Sequence, residues 1–175
     1  MVPSLAQKSL YARERRRDFR KFSGPPWLAH VASAQGHVAA EHAASHITKA
    51  VDYSNIPGCT YCQPQVGSLG LTEAQALRQG FDIKVGRFDF RASGKAMATG
   101  DTTGFVKLIF DKKYGELLGA HIVGSEATEL IAELGMAKAL ESTWEELAMT
   151  VHAHPTLSES IMEAALDAFS GSIHQ

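Results

Sequence analysis

Apolar residues along this chain recur at two different spacings, and the changes between them divide it into helical and extended stretches. After Pro25-Pro26-Trp27, the residues Leu28, Val31, Val38 and Ile47 fall within an alanine-rich run that predicts one long helix over residues 27–51. Proline is tolerated in a first turn because its missing N–H would be unpaired there anyway. Asn55-Ile56-Pro57-Gly58 predicts a turn, and residues 65–71 an extended run. Thr72-Glu73-Ala74-Gln75 is a capping-box sequence, and Gly80 closes the short helix it opens. Three strand candidates follow. Residues 82–90 place Ile83, Val85 and Phe88 unevenly, whereas 105–110 set Val106, Leu108 and Phe110 against Phe105, Lys107 and Ile109. Residues 116–123 form the third, and 111–115 read as the hairpin turn before it. Leu130, Ile131, Leu134 and Ala137 return to helical spacing over 127–140. Thr143-Trp144-Glu145-Glu146 and Thr156-Leu157-Ser158-Glu159 are two more capping boxes, the second opening a helix to about Phe169. The order predicts an α+β fold, a mostly antiparallel sheet flanked by helices, without internal repeats.

Composition narrows the function classes. With 45% hydrophobic and 21% charged residues over 175, the chain is an ordinary globular sequence with enough length for one well-packed domain. A formal net charge of -2 asks for neither nucleic acid nor an anionic membrane. No apolar run approaches the ~18 residues that span a bilayer, so no membrane helix is expected. Residues 1–23 are basic, through Lys8, Arg13, Arg15, Arg16, Arg17, Arg20 and Lys21, and hold no apolar stretch for a secretory signal. Glu14 and Asp18 argue against a transit peptide. That segment is expected to be a loose tail and the location cytoplasmic.

Two constellations invite chemistry and lose it on spacing. Cys59 and Cys62 form a CxxC pair, yet zinc needs further ligands and no other cysteine exists. A redox pair should open a helix, but Gln63-Pro64-Gln65-Val66-Gly67 reads as extended, where positions i and i+3 face opposite ways. Two reduced cysteines are expected. His30, His37, His42 and His46 lie on the first predicted helix, with His42 and His46 at i, i+4. A closed metal site would want two more ligands, so a polar stripe is expected and no metal.

The most informative stretch is His152-Ala153-His154-Pro155-Thr156-Leu157-Ser158-Glu159. Pro155 disfavours helix at His154, and a helix begins just after, so the imidazole sits at a stiff corner five residues before a carboxylate. A carboxylate on one ring nitrogen fixes the tautomer and raises the basicity of the other, as a general acid/base requires. Glu159 is equally placed to complete a capping box, and spacing by itself favours that plainer role.

The run His154-Pro155-Thr156-Leu157-Ser158-Glu159, with Ile161-Met162-Glu163-Ala164-Ala165, resembles the C-terminal signature of dihydrolipoamide dehydrogenases, within the pyridine nucleotide–disulfide oxidoreductases. The likeness continues through Ile56-Pro57-Gly58, Gly70-Leu71-Thr72-Glu73, Ala96-Met97, Gly104-Phe105-Val106-Lys107 and Leu118-Gly119-Ala120-His121-Ile122-Val123-Gly124, and runs from about Gly24 to Ser170. It implies a helix over 24–52 resembling the end of the family's FAD domain, then a dimerisation domain over 53–175. It implies that His154 is the acid/base residue toward a dithiol and Glu159 its orienting partner, both projecting into the partner subunit's site. It implies that Leu28, Ala29 and His30 match a helix start facing FAD. The implied parent reaction is FAD-mediated oxidation of dihydrolipoamide with reduction of NAD. The implied partners are a second copy, the acyltransferase of a 2-oxo acid dehydrogenase complex, or a separate flavin chain acting in trans.

The sequence also departs from the family. None of the 15 glycines forms a G-x-G, let alone the G-x-G-x-x-G loop that cradles a dinucleotide. The family's redox cysteine pair is absent, and Gln65 stands where glutamate is common. The expectation is therefore a homodimerisation domain apart from its cofactor modules, with neither FAD nor NAD bound.

Overall fold

The computed structural model describes residues 26–174, which places the basic segment 1–23 outside the description. The chain divides into a unit ending at Tyr53 and a second beginning at Ser54. The described part of the first unit is helix α1, Ala29–Ala43, shorter than the hydrophobic pattern predicts. It stops because Ser45 turns into the left-handed region (φ 65°). The Ser45 N–H then reaches the His42 carbonyl at 3.1 Å, and the His46 N–H reaches the Glu41 carbonyl at 3.0 Å. This is a Schellman closure with serine where glycine is usual. His46 thus lies past the helix end, and the predicted helical pairing of His42 with His46 does not form.

The second unit is a five-stranded sheet in the order β1-β2-β5-β4-β3. The strands are β1 (Gly58–Thr60), β2 (Gln65–Gly70), β3 (Ile83–Asp89), β4 (Gly104–Asp111) and β5 (Leu117–Gly124). Every pairing is antiparallel. Five helices accompany it: α2 (Glu73–Arg78), α3 (Gly94–Thr99), α4 (Ala127–Ala139), α5 (Trp144–Met149) and α6 (Glu159–Phe169). The α+β expectation holds, and the β4–β5 hairpin turns where expected, with the Tyr114 N–H donating to Asp111 Oδ2 at 2.6 Å. β1 and α3 escape sequence patterning because three and six residues are too few to show a period. What starts α3 is local: the Ser93 hydroxyl accepts the Ala96 N–H.

The period of two along β4 decides the layers. Val106, Leu108 and Phe110 point into the main core, against Ile131 and Leu134 of α4 and Ile161, Ala164 and Ala165 of α6. Ile109 points the other way, into a smaller cluster with Ala76 and Leu118. α4 lies across β2 and β5, α6 across β3 and β4, and α5 against α6. At the outer end of α6, Phe169 stacks on Trp144 with ring centroids 4.7 Å apart, and meets Phe110 edge-on at 5.9 Å. Among the described residues no helix is long and apolar enough to cross a membrane.

Two capping boxes form as the sequence predicts: Thr72 with Gln75 at the start of α2, and Thr143 with Glu146 at the start of α5. The third is only half built. The Thr156 hydroxyl turns away to the Ala153 carbonyl at 2.7 Å, while Glu159 still takes the Thr156 N–H at 2.8 Å. That leaves the other Glu159 oxygen free for a different task.

Candidate active site

That oxygen goes to His154. Glu159 Oε1 lies 2.9 Å from His154 Nδ1. An ionised carboxylate can only accept, so the contact selects the tautomer with hydrogen on Nδ1 and turns the Nε2 lone pair outward. The His154 side chain is 78% exposed while Glu159 is 27% exposed, so the orienting group is rooted and the ring is presented. Partial burial pushes the Glu159 carboxyl up, but the hydrogen bonds from Thr156 and His154 outweigh it and hold it below its ordinary value. Glu159 therefore stays ionised through neutral pH and keeps orienting the ring. The sequence left two roles open for Glu159, and it fills both with its two oxygens.

The segment carrying His154 is tied down two residues earlier. His152 is almost fully buried, and its Nε2 is 2.7 Å from Glu133 Oε1 on α4. A third histidine–carboxylate pair, His174 with Glu163, lines the same cleft of about 200 Å³ as His154, Glu159, Ser160, Phe88 and Met97. Neither of these pairs was singled out from the sequence. Their partners stand 19 and 11 residues apart, and no local spacing announces them.

The other sequence candidates fare differently. Leu28 is the N-cap of α1, extended and without a side-chain capping bond, followed by Ala29 and His30, all exposed. This end has no acidic residue in its first turn and can offer N–H groups to an electron-rich edge. The described glycines lie away from it. Gly67, Gly86 and Gly119 press against backbone of α4, α6 and Leu71, and Gly80, Gly100 and Gly171 close helices. Among the described residues the glycines thus build no G-x-G-x-x-G cradle for a dinucleotide. Gln65 accepts the Thr128 N–H at 3.1 Å and the Thr128 hydroxyl at 2.8 Å. An amide carbonyl caps α4 there without a charge. Among the described residues no three potential metal ligands converge.

Both cysteines are free thiols: Cys59 is half-buried in β1 and Cys62 is exposed beyond it, 2.9 Å from the Pro64 carbonyl. Burial pushes the Cys59 thiol up, ahead of the opposing hydrogen bond with Tyr61. Cys62 is therefore expected to react with Ellman's reagent several-fold faster than Cys59 in the native protein. Peptide mapping after partial labelling checks the order, and Cys59 labelling first would contradict it.

Residues 56–165 match the family model for the pyridine nucleotide-disulphide oxidoreductase dimerisation domain. The chain belongs to this family. Within the family it is similar to dihydrolipoyl dehydrogenases: 56% identical over 151 residues to that of Rhizobium etli, covering 84% of this chain and 31% of the relative. Identity to the Halobacterium salinarum dihydrolipoyl dehydrogenase is 50% over 149 residues, covering 85% and 31%. The solved structure of LpdA from Mycobacterium tuberculosis superposes with a TM-score of 0.75 at 28% identity, over 79% of this chain and 30% of that one. The chain thus spans about a third of the length of these flavoprotein-family relatives, and its dimerisation domain holds the His154–Glu159 pair inside the matched region.

Proposed function

We propose that this chain is the homodimerisation domain of a dihydrolipoyl dehydrogenase, and that it presents His154 to the dithiol substrate at the partner subunit's active site. The observation that carries this reading is the oriented pair itself: Glu159 holds His154 Nδ1 at 2.9 Å while the ring stands open to an incoming group. Nε2 would take the proton of a substrate thiol as that sulfur becomes a nucleophile, and Glu159 would stabilise the imidazolium so formed. The sequence holds no G-x-G-x-x-G loop and no cysteine beyond Cys59 and Cys62, so in this reading the disulfide and the dinucleotide cradles of the parent reaction come from other modules. In the same reading the 24–52 segment corresponds to the end of an FAD domain, and residues from 53 onward do the pairing.

Self-association is supported by what the sheet leaves uncovered. Met136, Leu140, Met149 and Val151 are 64%, 70%, 81% and 95% exposed. Met136 and Leu140 line one depression with Leu147, Thr150 and His152, and Met149 and Val151 border it in sequence. Patches of this kind mark association surfaces, and a two-fold axis lets one patch cover itself. Light scattering of the purified chain at micromolar concentration is expected to give twice its 18.9 kDa, without flavin absorbance. A monomer removes the dimerisation reading, and a stoichiometric flavin band removes the cofactor-free one.

A further inference from the structure

One helical turn beyond Glu159, α6 carries a second carboxylate, Glu163, whose side chain is 3% exposed. A buried carboxylate is tolerated only when hydrogen-bonded donors compensate it. Here Glu163 Oε2 accepts the N–H groups of Ile173 at 2.7 Å and His174 at 3.3 Å, and Oε1 lies 2.6 Å from His174 Nδ1. The donors come from the segment that follows α6. That segment can reach back because Gly171 adopts φ 89° at the helix end, with its N–H on the Leu166 carbonyl at 3.0 Å. The His174 ring is 70% exposed, so its contact with Glu163 is made at the surface of the cleft that also holds His154.

We propose that residues 171–174 act as a clasp in which Glu163 and His174 are positioning residues for His154. Glu159 and Glu163 sit four residues apart on one face of α6. If the clasp opens, the Glu163 carboxylate loses these donors within the cleft that it shares with Glu159 and His154, and the first turns of α6, which carry both carboxylates, adjust to solvate it. The opposing tie, the largely exposed His154–Glu159 contact, is the weaker of the two and gives way. The movement carries Glu159 off Nδ1, and His154 loses its fixed tautomer. The catalytic meaning of the clasp rests on the acid/base role proposed for His154, whereas the coupling itself does not.

The coupling is tested without flavin or substrate, on the full 175-residue chain, by ¹⁵N imidazole NMR of His154 in its neutral form. The chain as it stands should show hydrogen on Nδ1, and Glu159→Ala, the control, should release the ring toward the Nε2–H tautomer that a free histidine side chain prefers. His174→Ala and Glu163→Gln are each expected to lower the Nδ1–H to Nε2–H ratio several-fold. His174→Asn, whose amide nitrogen can replace Nδ1 as donor, should restore it. A ratio unchanged in His174→Ala, or His174→Asn behaving like alanine, overturns the clasp. Should Glu163→Gln fail to fold, the two substitutions at exposed His174 still decide. Because no turnover is measured, a wrong acid/base assignment would leave these results standing, and a failed clasp would leave the assignment untouched.

Discussion

Gly86→Ala is expected to weaken the cooperative thermal transition of this chain severely, lowering its midpoint by roughly 6–12 °C or more. Gly86 is the middle residue of β3, opposite Leu108 of β4, and its missing side chain faces α6. A methyl group there would overlap the Ala164 carbonyl oxygen and come within 2.8 Å of the Ala168 nitrogen. Both are backbone atoms of α6, so no rotamer change relieves the clash, and the whole helix must move. Ile161, Ala164, Ala165 and Ala168 of that helix are all buried, so the movement opens the main core along its length. Overpacking ordinarily costs about 1–3 kcal/mol, and a rigid backbone obstacle belongs at or beyond the top of that range. Against a total stability of roughly 5–15 kcal/mol this is a large fraction. Each kcal/mol is worth about 2–4 °C in a domain of this size. The contrast is Gly135→Ala in α4, where a methyl group meets nothing within 4 Å. Helix propensity there predicts a gain of about 0.5–1 kcal/mol. Calorimetry on both variants checks the pair of signs. A Gly86→Ala chain melting within two or three degrees of the parent would mean that α6 does not lie on β3 as described.

The second large effect concerns His154. With this domain joined to the part of the Rhizobium etli dihydrolipoyl dehydrogenase that it does not match, His154→Gln is expected to lower dihydrolipoamide turnover by about 10²–10⁴-fold, the usual worth of a positioned acid/base. Glutamine keeps the size and polarity of the side chain but cannot take the thiol proton. NADH oxidation by an artificial one-electron acceptor requires no such proton and should stay within about twofold, which separates lost acid/base chemistry from lost folding. Hybrid dimers test whether the histidine serves its own subunit or the other. One subunit carries His154→Gln and the second lacks the redox cysteines of the grafted module. If His154 acts across the interface, the hybrid retains one complete site and about half the dimer's activity; if it acts within its own subunit, the hybrid has none. An undiminished turnover in the homodimeric His154→Gln protein would remove the proposed role altogether.

Much of this molecule was legible along the chain wherever the deciding energies are local. Thr72 with Gln75 and Thr143 with Glu146 cap their helices because each partner is three residues away and the backbone geometry of a helix start does the rest. The alternation along β4 placed Val106, Leu108 and Phe110 in the core because a pleated strand sends every second side chain to the same face. His154 and Glu159 were legible for the same reason, five residues apart across a proline-stiffened corner, although only the coordinates show one carboxylate serving both the ring and the backbone. The remainder depended on where distant segments came to lie. α1 stops at Ala43 through backbone closure at Ser45, with no glycine or proline to announce it. Gln65 caps α4 from 63 residues away, His152 finds Glu133, and Glu163 takes its donors from beyond the helix end. Gly86 reads as a weak strand residue until α6 is laid across it. Local propensity acts through neighbours on the chain and so can be read from order alone, whereas the energy of a buried charge, a distant cap or a backbone contact exists only once packing has chosen which segments meet.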